Sequence, residues 1–257
     1  MKLSITSICE QTVKLFYQSF PTVFPITLVY ILLELGLNAL SHRAAIFNPN
    51  YAKDILFIIY LIAQSLLLVL FFIFILYSIH LIHHKHTINY LKICKSCIKS
   101  YLKVIAALVV ILAPILLMGL LLHFISGIFE TLAPTDENMM HLLSIIMMII
   151  LIAFSIGMTV WLLMSIHFLF MPLLIVINNE RVIDSLKQSW GMLRGNWLKT
   201  FCLLFILVSI TTVVQLVISV VFGKYSETLI SILMLPLSAA FMIVYYENIK
   251  EVRISLV

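Results

Sequence analysis

The sequence predicts an all-α polytopic membrane protein, and two observations carry this prediction. Hydrophobic residues make up 63% of the 257 positions, and charged residues make up only 11%. A soluble domain is roughly half apolar and a quarter charged, so its surface could not accommodate this composition. The apolar residues are also grouped in long uninterrupted runs, which is the pattern of helices that cross a bilayer. We therefore expect lipid to solvate most of the chain.

Six apolar runs are each close to the roughly 20 residues that cross the hydrocarbon of a bilayer. The runs lie near residues 21–40, 55–82, 104–126, 142–170, 200–222 and 227–247. Strands of a membrane β-barrel would alternate polar and apolar residues, and these runs do not. The fourth run continues towards Pro172, which lacks the N–H that a continuing helix needs, so we expect a kink or stop there. The chain is predicted to form a single integral membrane domain over residues 1–257.

Each odd-numbered span follows a segment with amphipathic helical spacing, and these segments cover residues 4–20, 87–103 and 180–199. Helices of this kind lie in the membrane interface, with the apolar stripe in the lipid and the cations towards phosphate. In the second segment, the helix face opposite the apolar stripe carries four lysines, Lys92, Lys95, Lys99 and Lys103. The unit of one cytoplasmic surface helix and two spans predicts a threefold parallel repeat, formed by residues 1–82, 83–177 and 178–257.

The distribution of basic residues predicts that both termini are cytoplasmic. Only three of the 16 lysines and arginines fall in the segments that this orientation places outside, namely Arg43, Lys53 and Lys224. Lysine and arginine accumulate in cytoplasmic loops, so the asymmetry fixes the expected orientation. The net charge of +5 is then a bias of the cytoplasmic side, and we expect no nucleic-acid partner because no separate basic domain is present.

The third predicted repeat carries a motif around two tryptophans. Trp190 and Trp197 are seven residues apart, which predicts that both rings share one helix face and anchor at headgroup depth beside Arg194 and Lys199. The Gly195-Asn196 pair is expected to end the surface helix and turn the chain into the fifth span.

This segment resembles a motif of known membrane proteins. The motif runs from Pro172 through Asn179-Glu180-Arg181 and Asp184 to Trp197. It is similar to a segment of YciC-like bacterial inner-membrane proteins and of the membrane domain attached to some glycerophosphoryl diester phosphodiesterases. The resemblance implies a six-helix hydrophobic body in a bacterial inner membrane and an association with envelope maintenance. The soluble phosphodiesterase domain is not part of this sequence, so the resemblance does not imply that activity.

Polar residues within the spans form a second candidate site. Glu34, Gln64, His123 and Gln215 reach comparable depths in the outer half of spans one, two, three and five. Polar groups are costly in lipid, so such a cluster could bind a headgroup or relay a proton. Interhelical hydrogen bonds that hold the bundle together are the structural alternative.

We expect no metal and no cofactor. Four histidines precede a C-x-x-C pair, and together they could form a zinc site; they are His80, His83, His84, His86, Cys94 and Cys97. Neighbouring lysines disfavour a cation there, and Cys94 continues an apolar stripe. Four charged or titratable residues near 127–141 are expected to be hydrated loop groups, namely Glu130, Asp136, Glu137 and His141.

The sequence therefore favours a non-enzymatic inner-membrane protein that contributes to envelope or lipid homeostasis through headgroup contact at the cytoplasmic face. No phosphate-binding loop, zinc-protease helix or serine-hydrolase motif is present. Two alternatives remain: a small transporter or channel that uses the buried polar cluster, and a scaffold for other membrane proteins. Convergence of the four polar residues on a cavity would favour transport.

Overall fold

In the computed structural model, which describes residues 4–47, 52–131, 137–223 and 226–254, every element is helical. Six helices are long and apolar enough to cross a membrane, with the fourth span extending from α4 into α5. The predicted all-α, six-span architecture is confirmed. The helices are α1 (Ile5–Phe47), α2 (Ala52–His83), α3 (Tyr90–Thr131), α4 (Glu137–Ser165), α5 (Met171–Asn178), α6 (Val182–Leu193), α7 (Trp197–Phe222) and α8 (Ser226–Ile254).

Some of the residues predicted to be charged loop or outer-segment groups lie outside this description. Asp136 and Lys224 fall outside the described residues. The side chains of Arg43, Lys53, Glu130 and Glu137 are outside the described part as well.

The outer surface of the bundle is apolar along its spans. Large side chains such as Ile149 and Ile156 on α4 and Val213 and Val220 on α7 are exposed. An apolar surface of this extent needs lipid around it, because a soluble monomer rarely exposes contiguous apolar patches beyond a few hundred Å². These faces agree with the apolar composition and with a multi-pass membrane protein.

The core lies at one end of the bundle, and α8 is its central helix. The run from Ala239 to Tyr246 is buried without interruption, and α8 packs against α1, α2 and α7. Helix α5 joins this core to a second one. Leu173 and Leu174 pack into the cluster around α8, whereas Ile175 packs into a cluster with α2 and α3.

Two of the three predicted surface helices are not separate elements. Residues 5–20 and 90–103 of these segments are the N-terminal parts of α1 and α3, which are 43 and 42 residues long. At 1.5 Å per residue each helix is about 63–65 Å long, roughly twice the hydrocarbon thickness, so it extends well beyond the membrane core. No glycine with a positive φ divides either segment from its span. The threefold repeat stays a prediction.

The fourth span breaks close to Pro172, as expected, although the proline begins a helix rather than ending one. Helix α4 ends at Ser165, a 3₁₀ turn covers Ile166–Phe168, and α5 begins at Met171. Pro172 lies in the first turn of α5. Proline is tolerated there because the first N–H groups of a helix have no intrahelical acceptor.

The third surface segment ends at the predicted turn. Helix α6 ends at Leu193, Gly195 has a φ of +91°, and α7 begins at Trp197. A residue with a side chain is strained at this φ, whereas glycine is not. The Gly195-Asn196 pair therefore separates α6 from the fifth span.

Replacing Gly195 by alanine is expected to lower the free energy of unfolding by about 1–2 kcal/mol, because alanine must adopt a left-handed backbone conformation. The measurement is unfolding in mixed detergent micelles followed by tryptophan fluorescence. Gly119→Ala is the control, because a Cβ at Gly119 meets no atom within 4 Å and its backbone is helical. Equal stability of both variants would contradict a requirement for glycine at position 195.

Candidate functional site

A polar cavity opens between the end of α2 and the start of α3. Its volume is about 280 Å³, and its lining combines hydrogen-bonding and cationic side chains with two aliphatic ones. None of the lining side chains is a carboxylate. The lining residues are Tyr77, Leu81, His86, Thr87, Asn89, Lys92 and Ile93.

The wall on the α2 side is formed by the way in which that helix ends. The N–H of His86 donates to the carbonyl of Leu81 at 2.9 Å, and the N–H of Lys85 donates to the carbonyl of Ile82 at 3.0 Å. Lys85 has a φ of +57°. This pair of bonds around a left-handed residue is the Schellman ending of a helix, and it directs the chain away from the α2 axis. It thereby brings His86 to the cavity.

The opposite wall is the first turn of α3. The side-chain Oδ1 of Asn89 accepts a hydrogen bond from the N–H of Lys92 at 3.3 Å, and its carbonyl accepts one from Ile93 at 3.0 Å. Asn89 thus caps the helix. The partial positive charge of a helix N-terminus and the Lys92 ammonium act in the same direction, so the cavity favours an anion.

The four predicted lysines of α3 have different environments. Lys92, Lys95 and Lys99 are exposed. Lys103 is half-buried, and its Nζ donates to the Oδ1 of Asn179 at 2.8 Å. It also reaches the carbonyls of Asn179 at 3.3 Å and Glu180 at 3.4 Å. The turn between α5 and α6 therefore engages the Lys103 ammonium group, and its contact with lipid phosphate stays a prediction.

The two tryptophans do not share a helix face, which corrects the prediction made from their spacing. Trp190 lies in α6 and Trp197 begins α7, with the Gly195 turn between them. The Trp190 indole stacks on the His167 ring with centroids 4.2 Å apart, whereas Trp197 is exposed. Arg194 and Lys199 are also exposed. The part of this segment around position 197 is thus open to an interfacial role.

Ser189, for which the sequence carries no recognisable signal, joins α6 to the break in the fourth span. Its hydroxyl donates to the carbonyl of His167 at 2.7 Å and accepts from the N–H of Phe170 at 3.1 Å. Ser189 is fully buried. The serine therefore provides hydrogen-bond partners for two backbone groups that have none within a helix, because the helix is interrupted there.

The intramembrane polar residues are brought together in part. Gln64 Nε2 donates to Glu34 Oε1 at 2.8 Å, and both side chains are half-buried between α1 and α2. The side chains of His123 and Gln215 are exposed on α3 and α7. None of the four lines the polar cavity or the apolar groove that lies further along α2 and α3.

The histidines and cysteines at the end of α2 and the start of α3 separate into two environments. Cys97 is fully buried in the cluster that joins α2, α3 and α5, and all four cysteines of the chain are free thiols. His80 and His84 instead lie beside Glu247 of α8, a residue that no local sequence pattern connects with them.

The helices and the cavity define a multi-pass helical membrane protein with a basic recess at one end of its core. Residues 96–248 match the family described as Domain of unknown function (DUF7847). The match covers more than half of the chain, so the chain belongs to this family. No curated protein and no solved structure gives a significant match.

Proposed function

We propose that this protein is a non-enzymatic, multi-pass protein of a bacterial inner membrane that contributes to envelope or lipid homeostasis by binding phospholipid headgroups. Its termini are cytoplasmic in this proposal, because lysine and arginine concentrate on that side. The N-terminal parts of α1 and α3, together with α6, then form the cytoplasmic end of the bundle. The bacterial source and the link to envelope maintenance rest on the resemblance to YciC-like proteins.

The observation that carries the proposal is the cavity between α2 and α3. A phosphate group there meets the Lys92 ammonium, the first turn of α3 and the polar side chains of Thr87 and His86. No carboxylate in the lining opposes it. Charge-assisted hydrogen bonds to phosphate are roughly twice as strong as neutral ones, so this recess is suited to a phosphoryl headgroup.

The surroundings of the cavity favour a lipid over a free anion. Leu91, Ile98 and Leu102 on the same part of α3 are 84%, 58% and 72% exposed, and an interface would cover them. An apolar groove of about 350 Å³ lies further along the same two helices, between residues 61–69 and 105–112. It offers hydrocarbon contact to an acyl chain, which inorganic phosphate does not have.

The transport alternative receives less support. A water-filled path would need the polar residues of several spans to meet around one cavity. Glu34 and Gln64 form a hydrogen bond with each other, whereas the side chains of His123 and Gln215 are exposed on α3 and α7. The Glu34–Gln64 contact is sufficiently explained as an interhelical hydrogen bond that holds α1 against α2.

The test is native mass spectrometry of tag-free protein titrated with phosphatidylglycerol in detergent. We expect Lys92→Gln to weaken binding about tenfold, the effect of losing one charge-assisted hydrogen bond of roughly 1.4 kcal/mol. Lys95→Gln is the matched control, because it removes the same charge three residues away and Lys95 does not line the cavity.

Competition experiments distinguish a lipid site from a site for a soluble anion and from diffuse surface charge. Diacylglycerol, which lacks phosphate, should not compete, and inorganic phosphate should compete only at far higher concentration than the lipid. Equal losses in Lys92→Gln and Lys95→Gln would indicate a diffuse surface charge and contradict a site in the cavity. Displacement of the lipid by inorganic phosphate at comparable concentration would indicate a soluble anion instead.

A further inference from the structure

Two histidines at the end of α2 lie beside a carboxylate of α8. One ligand atom from each of His80, His84 and Glu247 lies within 4.8 Å of the other two. The shortest described approach is 3.5 Å, between His84 Nε2 and Glu247 Oε1. Metal–ligand bonds of about 2.0–2.2 Å place neighbouring atoms of a tetrahedral zinc site about 3.3–3.5 Å apart. The His84–Glu247 pair already has this separation, and the other two pairs lie within 4.8 Å.

The backbone that carries these groups is fixed by the core. Ile79, next to His80, and Tyr245, two residues before Glu247, are fully buried in the same cluster. The N–H of His84 donates to the carbonyl of His80 at 3.1 Å, so His84 keeps helical spacing beyond the last residue of α2. Residues four apart on a helix share a face, which directs both imidazoles to the same side.

The ligand types suit a first-row divalent metal. Neutral imidazole and carboxylate are ligands of Zn²⁺, and two histidines with one glutamate form a known three-ligand zinc set. Further donors are close. The rings of His83 and His86 have centroids 5.3 and 6.4 Å from that of His84, so either histidine or a water molecule can complete the coordination.

The charges around this position are of both signs, because Lys250 is close enough to act electrostatically on His80. Glu247 contributes one negative charge directly to the cluster. The Lys250 ammonium lies 5.9 Å from the centroid of the Tyr246 ring and makes a cation–π contact with it. The C-x-x-C pair is a separate feature, because Cys97 is buried in the other core cluster.

We propose that His80, His84 and Glu247 bind one divalent transition-metal ion of the Zn²⁺ class and thereby tie the end of α2 to α8. The sequence pointed away from a metal because neighbouring lysines disfavour a cation and because Cys94 continues an apolar stripe. Glu247 is more than 160 residues distant in the chain, and only the packing of α8 on α2 brings it to them. None of the three ligands lines the cavity of the proposed lipid contact, although the neighbouring His86 does.

The test uses the full chain without a histidine tag, freed of metal with a chelator and titrated with ZnCl₂ by isothermal calorimetry. We expect one Zn²⁺ per chain. Loss of an outer-shell partner alone typically weakens metal binding roughly 10- to 100-fold, so Glu247→Gln and His84→Ala should each weaken it at least that much. His141→Ala, which removes an exposed histidine in α4, is the control and should bind Zn²⁺ like the unmodified protein.

Thermal unfolding separates a bound metal from a simple histidine–glutamate ion pair. Zn²⁺ should raise the Tm of the unmodified protein and of His141→Ala, and should leave the Tm of Glu247→Gln unchanged. Glu247→Gln keeps the size of the side chain, so its metal-free Tm reports whether the variant is folded. Absence of saturable Zn²⁺ binding, equal affinity in Glu247→Gln, or loss of binding only when Cys94 and Cys97 are replaced would each overturn the proposal.

Discussion

Replacing Phe170 by alanine is expected to lower the free energy of unfolding by about 3–5 kcal/mol, the usual cost of removing a fully buried phenyl ring. Phe170 has no exposed surface and lies at the start of α5. Its ring centroid is 5.5 Å from that of Tyr245 and 5.6 Å from that of Tyr246. Truncation would leave a cavity beside Tyr245 and Tyr246, within the buried cluster around α8. The measurement is equilibrium unfolding in mixed micelles of mild detergent and dodecyl sulfate.

The control for this prediction is Phe124→Ala, because Phe124 lies on α3 and is 67% exposed. Shortening a side chain that faces lipid in the folded and in the unfolded state removes little packing. We therefore expect the free energy of unfolding to change by no more than about 0.5 kcal/mol. Equal losses of stability in both variants would contradict this prediction, and so would a smaller loss in Phe170→Ala than in Phe124→Ala. Phe170 would then not be a stabilising part of the core around α8.

The six spans could be predicted from sequence because a single physical requirement determines them. A segment that crosses hydrocarbon must be apolar over its whole length and must satisfy its backbone groups internally. Both conditions can be recognised locally in the chain. The break before Pro172 and the turn at Gly195 were also predictable, since a missing N–H and a left-handed backbone conformation are properties of single residues.

The surface helices were harder to predict because an amphipathic pattern does not specify where a helix ends. Segments 4–20 and 180–199 both have amphipathic spacing. Pro21 and Pro25 lie within α1 without ending it, whereas Gly195 separates α6 from α7. The seven-residue spacing of Trp190 and Trp197 predicted a shared face only on the assumption of an unbroken helix. The Gly195 turn, which was itself expected, removes that assumption.

The candidate sites depend on long-range pairing, which a single sequence does not reveal. Lys92 could be chosen as a headgroup contact from its place on a basic face, and it does line the cavity. Lys103 has the same pattern, yet its partner is Asn179, 76 residues away. Glu247 had no local signal that would connect it with His84. Asn89 was the one missed residue with a usable signal, because asparagine before an amphipathic run is a typical helix cap.

Replacing Ser189 by alanine is expected to lower the free energy of unfolding by about 2–4 kcal/mol, because it leaves one buried and one partly buried backbone group without their hydrogen-bond partner. Those groups are the N–H of Phe170 and the carbonyl of His167, which flank the interruption between α4 and α5. Alanine removes only the hydroxyl, so loss of packing volume contributes little. The same mixed-micelle unfolding measurement reports the change.

Ser155→Ala is the matched control. The Ser155 hydroxyl is exposed and donates to the carbonyl of Leu151 in its own helix, at 2.8 Å. The helix backbone already provides a hydrogen bond to this carbonyl, so the bond from the serine hydroxyl is an additional one. We therefore expect the free energy of unfolding to change by less than about 0.5 kcal/mol. Cysteine at position 189 should recover little of the loss, since a thiol is a weak donor and acceptor, whereas threonine retains the hydroxyl. If Ser189→Ala were as stable as Ser155→Ala, the break in the fourth span would not depend on α6. Ser189 and the neighbouring Trp190 would then need a role other than stabilising the fold.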